Sequence, residues 1–556
     1  MAANIAQLFT QHLGRPGHVL YRHFVDDAWR DVTVAELAQQ MVRWQAAFRR
    51  EGLARGERVA LCARNGVQWV AADLAALGMG LVIVPLYVDD NPDNAAWCAA
   101  NADAKLLIVE NARLADGMCK AADGPALPPI VVLKPEDRDA TSGVERFLPT
   151  ASGDVEVQAL PDDTLATICF TSGTSGRPKG VMLSHGNIVA NVKQARATNM
   201  AREADQFLSI LPLSHMFERT GGYYLPLSLG STVAFCRGIP QVAEDLASQK
   251  PTIIFAVPRI FDRFYARIEQ ALAESDAKKA LFKICVARGY RFAMKQGSFL
   301  DGLLVPLLRK VVGAPILARL GGNLRIAVVG GAALDPVLAE AFMGLGLVML
   351  QGYGMTEASP VISVNRDDDN VPESVGPPLP GVEVKLADNN ELCARGANIM
   401  LGYWRNEEAT RAAIDPDGFL HTGDLAEIKD GKIFLRGRAK DIFVMSNGEK
   451  LPPQDVEFAI LHDPLFEQVM LLGDGQPYVA LLAVTKATDE RELVKRANAQ
   501  LKGFPRWVRV RHVIATDETW SVDNGLLTPT LKLKRPILLK RYADRIAAAY
   551  KEAPLD

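Results

Sequence analysis

An α/β fold with more than one domain follows from three features of the chain. Ten short apolar runs, rich in β-branched residues, recur from about residue 57 to residue 354. Helical stretches separate several of them. After about residue 361 the pattern changes to shorter strands joined by tight turns.

The first runs are RVALCA, LVIVPLY, KLLIVE, PIVVL and TLATICF, followed by QFLSILP, STVAFC, TIIFAVP, LRIAVVGG and LVMLQGYG. Successive apolar residues within each run predict strands buried on both faces, as in parallel sheets. VQWVAADLAALGMG and HGNIVANVKQARATNM supply crossover helices. Residues 266–315, rich in Ala, Lys and Leu, predict added helices between two strands. GVEVKLADNNELCARG and FLHTGDLAEIKDGKIFLRGR then carry the turn elements D-N-N, D-P-D-G and K-D-G. They predict a small β-rich unit ending near Gly437. From Lys440 a further α+β pattern runs to the C-terminus. The boundary expected at 438–441 divides the chain into 1–438 and 439–556.

Composition excludes several function classes. The 556 residues are 49% hydrophobic and 23% charged, with a formal net charge of −3. That is globular composition without the basic excess of a nucleic-acid binder. The seven cysteines are scattered through mostly apolar runs with no C-x-x-C pair, as expected for buried thiols in a reducing cytoplasm. The eight histidines lack H-x-x-x-H spacing, which argues against structural zinc. The first residues carry no basic segment followed by an apolar one, so no signal peptide is expected. FLDGLLVPLLRKVVGAPIL (299–317) is the best membrane-span candidate. Asp301, Arg309 and Lys310 interrupt it, and Pro306 and Pro315 are expected to break a helix there. A cytoplasmic protein is expected, with surface contact at the inner face of a membrane left open. Oligomeric state, monomer or homodimer, is not legible.

The densest local signal is CFTSGTSGRPKGVMLSH (169–185), read as a Gly-rich loop between a strand and a helix. A surface turn needs one or two glycines. Here Gly173, Gly176 and Gly180 alternate with Thr171, Ser172, Thr174 and Ser175 ahead of Lys179. Successive bare N–H groups in such a turn cradle an anion, and hydroxyls and a lysine add donors and charge. It is not the P-loop pattern, because Gly176 stands three residues before Lys179. A mobile surface loop is the alternative that the glycines alone leave open.

The ordered string T-S-G-T-S-G-R-P-K-G resembles the phosphate loop of the adenylate-forming superfamily: acyl-CoA synthetases, peptide-synthetase adenylation domains and firefly luciferase. Ser175 stands where the commoner form has Thr. In the family's order, VVGGAAL (328–334) and QGYGMTEASP (351–360) resemble the adenine-binding segments, and HTGD (421–424) the ribose motif. GRAKD (437–441) resembles the interdomain hinge, and NGLLTPTLKLKR (524–535) the region of the catalytic lysine. LPLSHMFERTGGYY (211–224) and GLLTPTLKLKR resemble the long-chain fatty acyl-CoA synthetase branch.

This resemblance implies a large N-terminal domain of two doubly wound α/β halves plus a distorted β-barrel, capped by a small α+β lid. It implies ATP, Mg²⁺ and coenzyme A, with a fatty acid as the acyl substrate. Asp424 and Arg438 would hold the ribose. Tyr353, Gly331, Ala332, Gln351 and Gly352 would surround adenine. Residues Thr171 to Gly176 and Lys179 would bind phosphates. Thr356 would donate to the α-phosphate, and Glu357 with Thr171 would hold Mg²⁺. Lys532 would be the catalytic lysine, with Lys534 as its rival, and Lys440 the pivot. His215 would act at the acyl or pyrophosphate end, against the alternative of a structural hydrogen bond. Tyr403 and Trp404 are expected to pack. Acyl chains would enter a tunnel lined by residues 211–235 and 352–360. Two other readings stay open: an adenylating enzyme with a non-CoA acceptor, and a non-catalytic nucleotide-binding protein. No insertion between Gly437 and Gly448 marks the first, and Lys532, Glu357 and Asp424 speak against the second.

Overall fold

The computed structural model describes residues 4–121, 126–134, 143–171, 177–273, 275–439, 442–446, 448–522, 524–528, 533–551 and 555. Two large sheets dominate the N-terminal part. In the first, Val82–Pro85, Arg58–Cys62, Ala104–Asn111 and Ile130–Lys134 run parallel, and Leu165–Thr171 joins beside Val82–Pro85. In the second, Val348–Gly354, Ile326–Val329, Ile253–Ala256, Gln206–Ser209, Thr232–Phe235 and Val19–Val25 run parallel. All ten apolar runs of the sequence form strands of these two sheets. An N-terminal hairpin, Val19–Val25 with Ala28–Thr33, and helix Val34–Arg50 precede the first of those runs and were not anticipated.

The loop at 171–179 differs from its expected setting. Lys179–Ser184 is a strand, paired antiparallel with Leu165–Thr171 so that Thr171 lies opposite Lys179. The Gly-rich segment therefore joins two strands, and helix His185–Arg196 begins only afterwards, capped by Ser184. The run GVMLS is short and apolar, and its strand character is hidden beside so strong a turn signal.

The helices between the sheets share one continuous apolar layer. Helix Val67–Gly78 crosses over within the first sheet, and residues Met216–Leu229 within the second. At their contact Arg219, fully buried, is ion-paired with buried Asp73 and donates to the Thr167 hydroxyl at 2.9 Å. The hydroxyls of Tyr223 and Tyr224 donate to the same Asp73 carboxylate at 3.1 and 2.8 Å. A charge pair in so apolar a layer is tolerable only because its remaining donors and acceptors are largely satisfied.

Where the resemblance implies a barrel, a four-stranded antiparallel sheet is formed by Glu383–Leu386, Glu391–Arg395, Leu420–Lys429 and Lys432–Arg438. Its K-D-G turn has Asp430 and Gly431 at φ of 50° and 75°, the left-handed pair a two-residue hairpin requires. The C-terminal part has its own sheet, Gln468–Leu472, Val479–Val484 and Val510–Thr516. Every residue of the central strand VALLAV is buried, with one apolar cluster on each face of the sheet.

The added helices are present as Pro258–Leu272, Asp276–Ala293 and Phe299–Leu308. Pro306 does not end the last of them but stands inside it, and the chain continues through a wider turn at Arg309–Gly313. Among the described residues, no helix is long and apolar enough to cross a membrane.

Candidate active site

A cleft of 2740 Å³ opens along the carboxyl ends of the second sheet's strands and is lined on another side by the C-terminal domain. Ligand crevices in open α/β sheets lie in this position. Strand Val348–Gly354 leaves the core at Gln351 and reaches the cleft with Gly352, Tyr353 and Gly354. Its neighbour Ile326–Val329 ends in Gly330 and Gly331. Gly331 has φ +80°, and a Cβ there would meet only Val257 at an ordinary 3.6 Å, so conformation and not crowding demands glycine there. Ala332 follows at the rim.

Two polar groups face this cleft. The first joins two domains of sheet. Asp424 lies opposite Arg438 in the antiparallel sheet. Arg438 Nε donates to Asp424 Oδ1 at 3.0 Å, and the Tyr353 hydroxyl donates to Oδ2 at 2.5 Å. A carboxylate offers about four acceptor sites, so two donors leave capacity for a ligand diol.

The second group surrounds the short turn Thr356–Ala358. Glu357 is buried, and its Oε1 accepts the Tyr403 hydroxyl at 2.9 Å. Burial pushes the Glu357 carboxyl above its ordinary range, opposed by the Tyr403 hydrogen bond and by the charges of Arg438 and Lys179. Lys179 Nζ sits 5.1 Å from the centre of the Tyr403 ring. Thr171, Thr356 and Lys179 all line the same cavity. Among the described residues no cluster of three or more His, Cys, Asp or Glu could cage a metal. A single buried carboxylate on the same cavity as the Lys179 ammonium would suit Mg²⁺, which keeps several waters and takes oxygens from substrate phosphates.

His215 caps helix Met216–Glu218, its Nδ1 accepting from Phe217 N–H at 3.2 Å, and it also lines the cavity. The structural hydrogen bond and the site position thus coexist. From the C-terminal domain come Thr528, Leu533, Lys534 and Arg535. Asp90, at the rim, is raised by burial and drawn back by its Asn91 and Asn94 hydrogen bonds and by the Lys534 charge. Ser172, Gly173, Thr174, Ser175 and Gly176, the hinge candidate Lys440 and the catalytic candidate Lys532 lie outside the described residues.

Tyr403 packs half-buried against the core, as expected, and its hydroxyl in addition donates to Glu357. The signal for it was slight: a partly buried tyrosine keeps a hydroxyl that needs a partner. Its neighbour Trp404 packs as expected, donating to the Asn101 carbonyl at 3.0 Å.

Residues 10–404 match the AMP-binding enzyme family, and residues 440–554 match the AMP-binding enzyme C-terminal domain. A long-chain-fatty-acid–CoA ligase of Mycobacterium bovis is 30% identical, over 98% of this chain and 96% of its own. Long-chain-fatty-acid–CoA ligase 6 of Mus musculus is also 30% identical, over 88% and 78%. Among solved structures, ATP-bound MatB from Rhodopseudomonas palustris superposes with a TM-score of 0.76 at 22% identity, over 98% of this chain and 99% of its own. With its two polar groups on one interdomain cleft, the chain belongs to the AMP-binding enzyme family, the adenylate-forming superfamily.

Proposed function

We propose that this protein is a long-chain fatty acid–CoA ligase of the AMP-forming type. The observation that carries the reading is one cleft lined both by these polar groups and by apolar side chains. The apolar side chains include Ala195, Met200, Leu225, Phe255, Val361 and Leu379. Full-length relatives named as long-chain ligases support the substrate class.

In the first half-reaction a fatty-acid carboxylate oxygen attacks the α-phosphorus of ATP. The new P–O bond replaces the bond to the β-phosphate, and acyl-AMP and pyrophosphate result. In the second, the thiol sulfur of coenzyme A attacks the acyl carbonyl. The C–S bond forms, the C–O bond to AMP breaks, and the thiol proton is released. No protein nucleophile is needed, so catalysis is charge neutralisation and alignment between two anions.

Asp424 and Arg438 accept from and donate to the ribose, and the ring of Tyr353 lies beside adenine with Gly331 and Ala332. Lys179, Thr171 and the loop 172–176 hold the β- and γ-phosphates, and Thr356 the α-phosphate. Mg²⁺, when bound, neutralises the leaving pyrophosphate. Glu357 would be its ligand with Thr171, kept in orientation by Tyr403. Lys532 bridges carboxylate and α-phosphate, and His215 acts at the acyl or pyrophosphate end. The lid, residues 439–556, turns about Lys440 between the two half-reactions.

AMP release with CoA, measured across fatty acids, tests the reading. Each buried CH₂ adds about 0.8 kcal/mol, so kcat/KM should be highest at roughly twelve carbons or more. Preference for acetate or for an aryl acid would refute the substrate class. Acyl-AMP that accumulates and never reaches CoA would refute the acceptor.

A further inference from the structure

Helix Phe299–Leu308 has its polarity turned inside out. Asp301 and Val305 face the protein, both about 1% exposed. Asp301 is held there by the Ser298 N–H and hydroxyl at 2.8 and 2.9 Å and by Arg288 at 2.8 Å. The solvent side carries Phe299, Leu300, Leu303 and Leu307, which are 85, 60, 63 and 59% exposed, with Val311 beyond them at 57%. Spacings of three and four place them on one helical face. Leu281, Ile284 and Phe292 of the preceding helix are exposed as well. Single surface leucines need no explanation, but a contiguous apolar stripe marks an interaction surface.

The charge around that stripe points to its partner. From Asp276 to Leu320 the chain holds nine Lys and Arg against two Asp, a net of +7 in a protein whose total is −3. The remainder therefore carries −10. Lys278, Lys279, Lys283, Lys310 and Arg319 are exposed, and among the described residues none of them is ion-paired. Two copies meeting on this face would bring two such basic regions together, which disfavours a homodimer here. The helix has ten residues, about 15 Å, half the thickness of a bilayer's hydrocarbon core. It cannot span.

We propose that the face formed by Phe299, Leu300, Leu303, Leu307 and Val311 docks on an anionic lipid bilayer. The helix lies in the plane of the interface, its apolar side chains enter the acyl boundary, and the surrounding lysines meet the headgroups. The inference stands on surface geometry and charge and does not depend on the substrate proposed above.

Flotation with phosphatidylcholine vesicles containing about one third phosphatidylglycerol tests it, with pure phosphatidylcholine as control. The wild-type protein should float with the anionic vesicles, more weakly with neutral ones, and less as salt rises. Leu300→Glu/Leu303→Glu should cut vesicle partitioning about tenfold or more, and Lys283→Glu/Lys310→Glu by less. Leu300→Ser/Leu303→Ser, a milder pair, should also reduce it. All three variants should keep wild-type melting temperatures and wild-type AMP formation on a detergent-free soluble acid, which separates lost docking from lost folding. The proposal is overturned if wild type ignores anionic vesicles, or if the leucine variants bind as well as wild type. It is also overturned if wild type is a dimer that Leu300→Glu/Leu303→Glu makes monomeric.

Discussion

The hydroxyl of Tyr403 donates to the Glu357 carboxylate at 2.9 Å, while the same ring faces the Lys179 ammonium at 5.1 Å. One phenol thus contacts both the carboxylate and the ammonium on this side of the cleft. Burial raises Glu357, and a donor to the ionised form opposes that rise. Removing the donor in Tyr403→Phe should push Glu357 further up. Since the ionised carboxylate is the metal-competent form, activity is lost as pH falls through its pKa. The acid limb of the kcat/KM profile should therefore move to higher pH, by about one unit for a hydrogen bond worth about 1.5 kcal/mol. An unmoved acid limb would detach Glu357 from metal binding.

Asp424 already accepts Tyr353 and Arg438, so in the proposed ribose role its replacement would strip a ligand contact and leave two protein donors unpaired. Asp424→Ala should raise the KM for ATP tenfold or more, each charge-assisted bond being worth about 1.5–3 kcal/mol. Wild-type ATP affinity in the variant would exclude the ribose assignment.

Lys534 lines the cleft, and Lys532 stands two residues before it. Lys532→Ala should slow acyl-AMP formation by roughly 10²–10³, the cost of removing one preorganised donor, and spare thioester formation from preformed acyl-AMP. Single-turnover kinetics of each half-reaction decide this. An active Lys532→Ala with a dead Lys534→Ala would transfer the role.

The two domains meet at His462 Nε2 and Asp335 Oδ2, 2.6 Å apart, while Asp335 Oδ1 caps helix Pro336–Leu345 through Val337 N–H. The Asp335 hydrogen bond raises His462 above its ordinary value. A raised histidine contributes in full below its free value, and the contribution is lost as pH rises through the raised one. Nearby Asp262, pushed up to about 6 by burial, is already ionised in that window. Proteolysis between the domains, near residue 440, should accelerate as pH rises through the raised His462 value. His462→Ala should be cleaved fast at every pH. A pH-independent wild type would show that this pair does not hold the lid.

Much of the fold was legible because buried parallel strands write themselves as unbroken apolar runs. The strand Lys179–Ser184 was hidden, since its few apolar residues adjoin a loop with a far stronger turn signal. Asp424, singled out in HTGD, was legible as a cleft residue, because a carboxylate in that setting has little reason to exist except its chemistry. Tyr403 was not, because a tyrosine among apolar neighbours reads as core until its hydroxyl is seen to have a carboxylate partner 46 residues away in sequence. His215 shows the opposite case, a residue whose capping bond and cleft position are both real.

The buried pair of Asp73 and Arg219 bears on the order in which the chain can be made. Asp73 leaves the ribosome 146 residues before the arginine that neutralises it. Until then the first sheet's crossover helix would have to bury a lone carboxylate, which costs several kcal/mol, so that half stays open during synthesis. A fragment ending at Met200 should accordingly show no cooperative thermal transition by circular dichroism, and one ending at Arg438 should melt sharply. Asp73→Asn in the short fragment should restore part of its order, because the waiting charge is gone. A sharp transition in the unsubstituted short fragment would mean that nascent sheet needs no counter-ion to close.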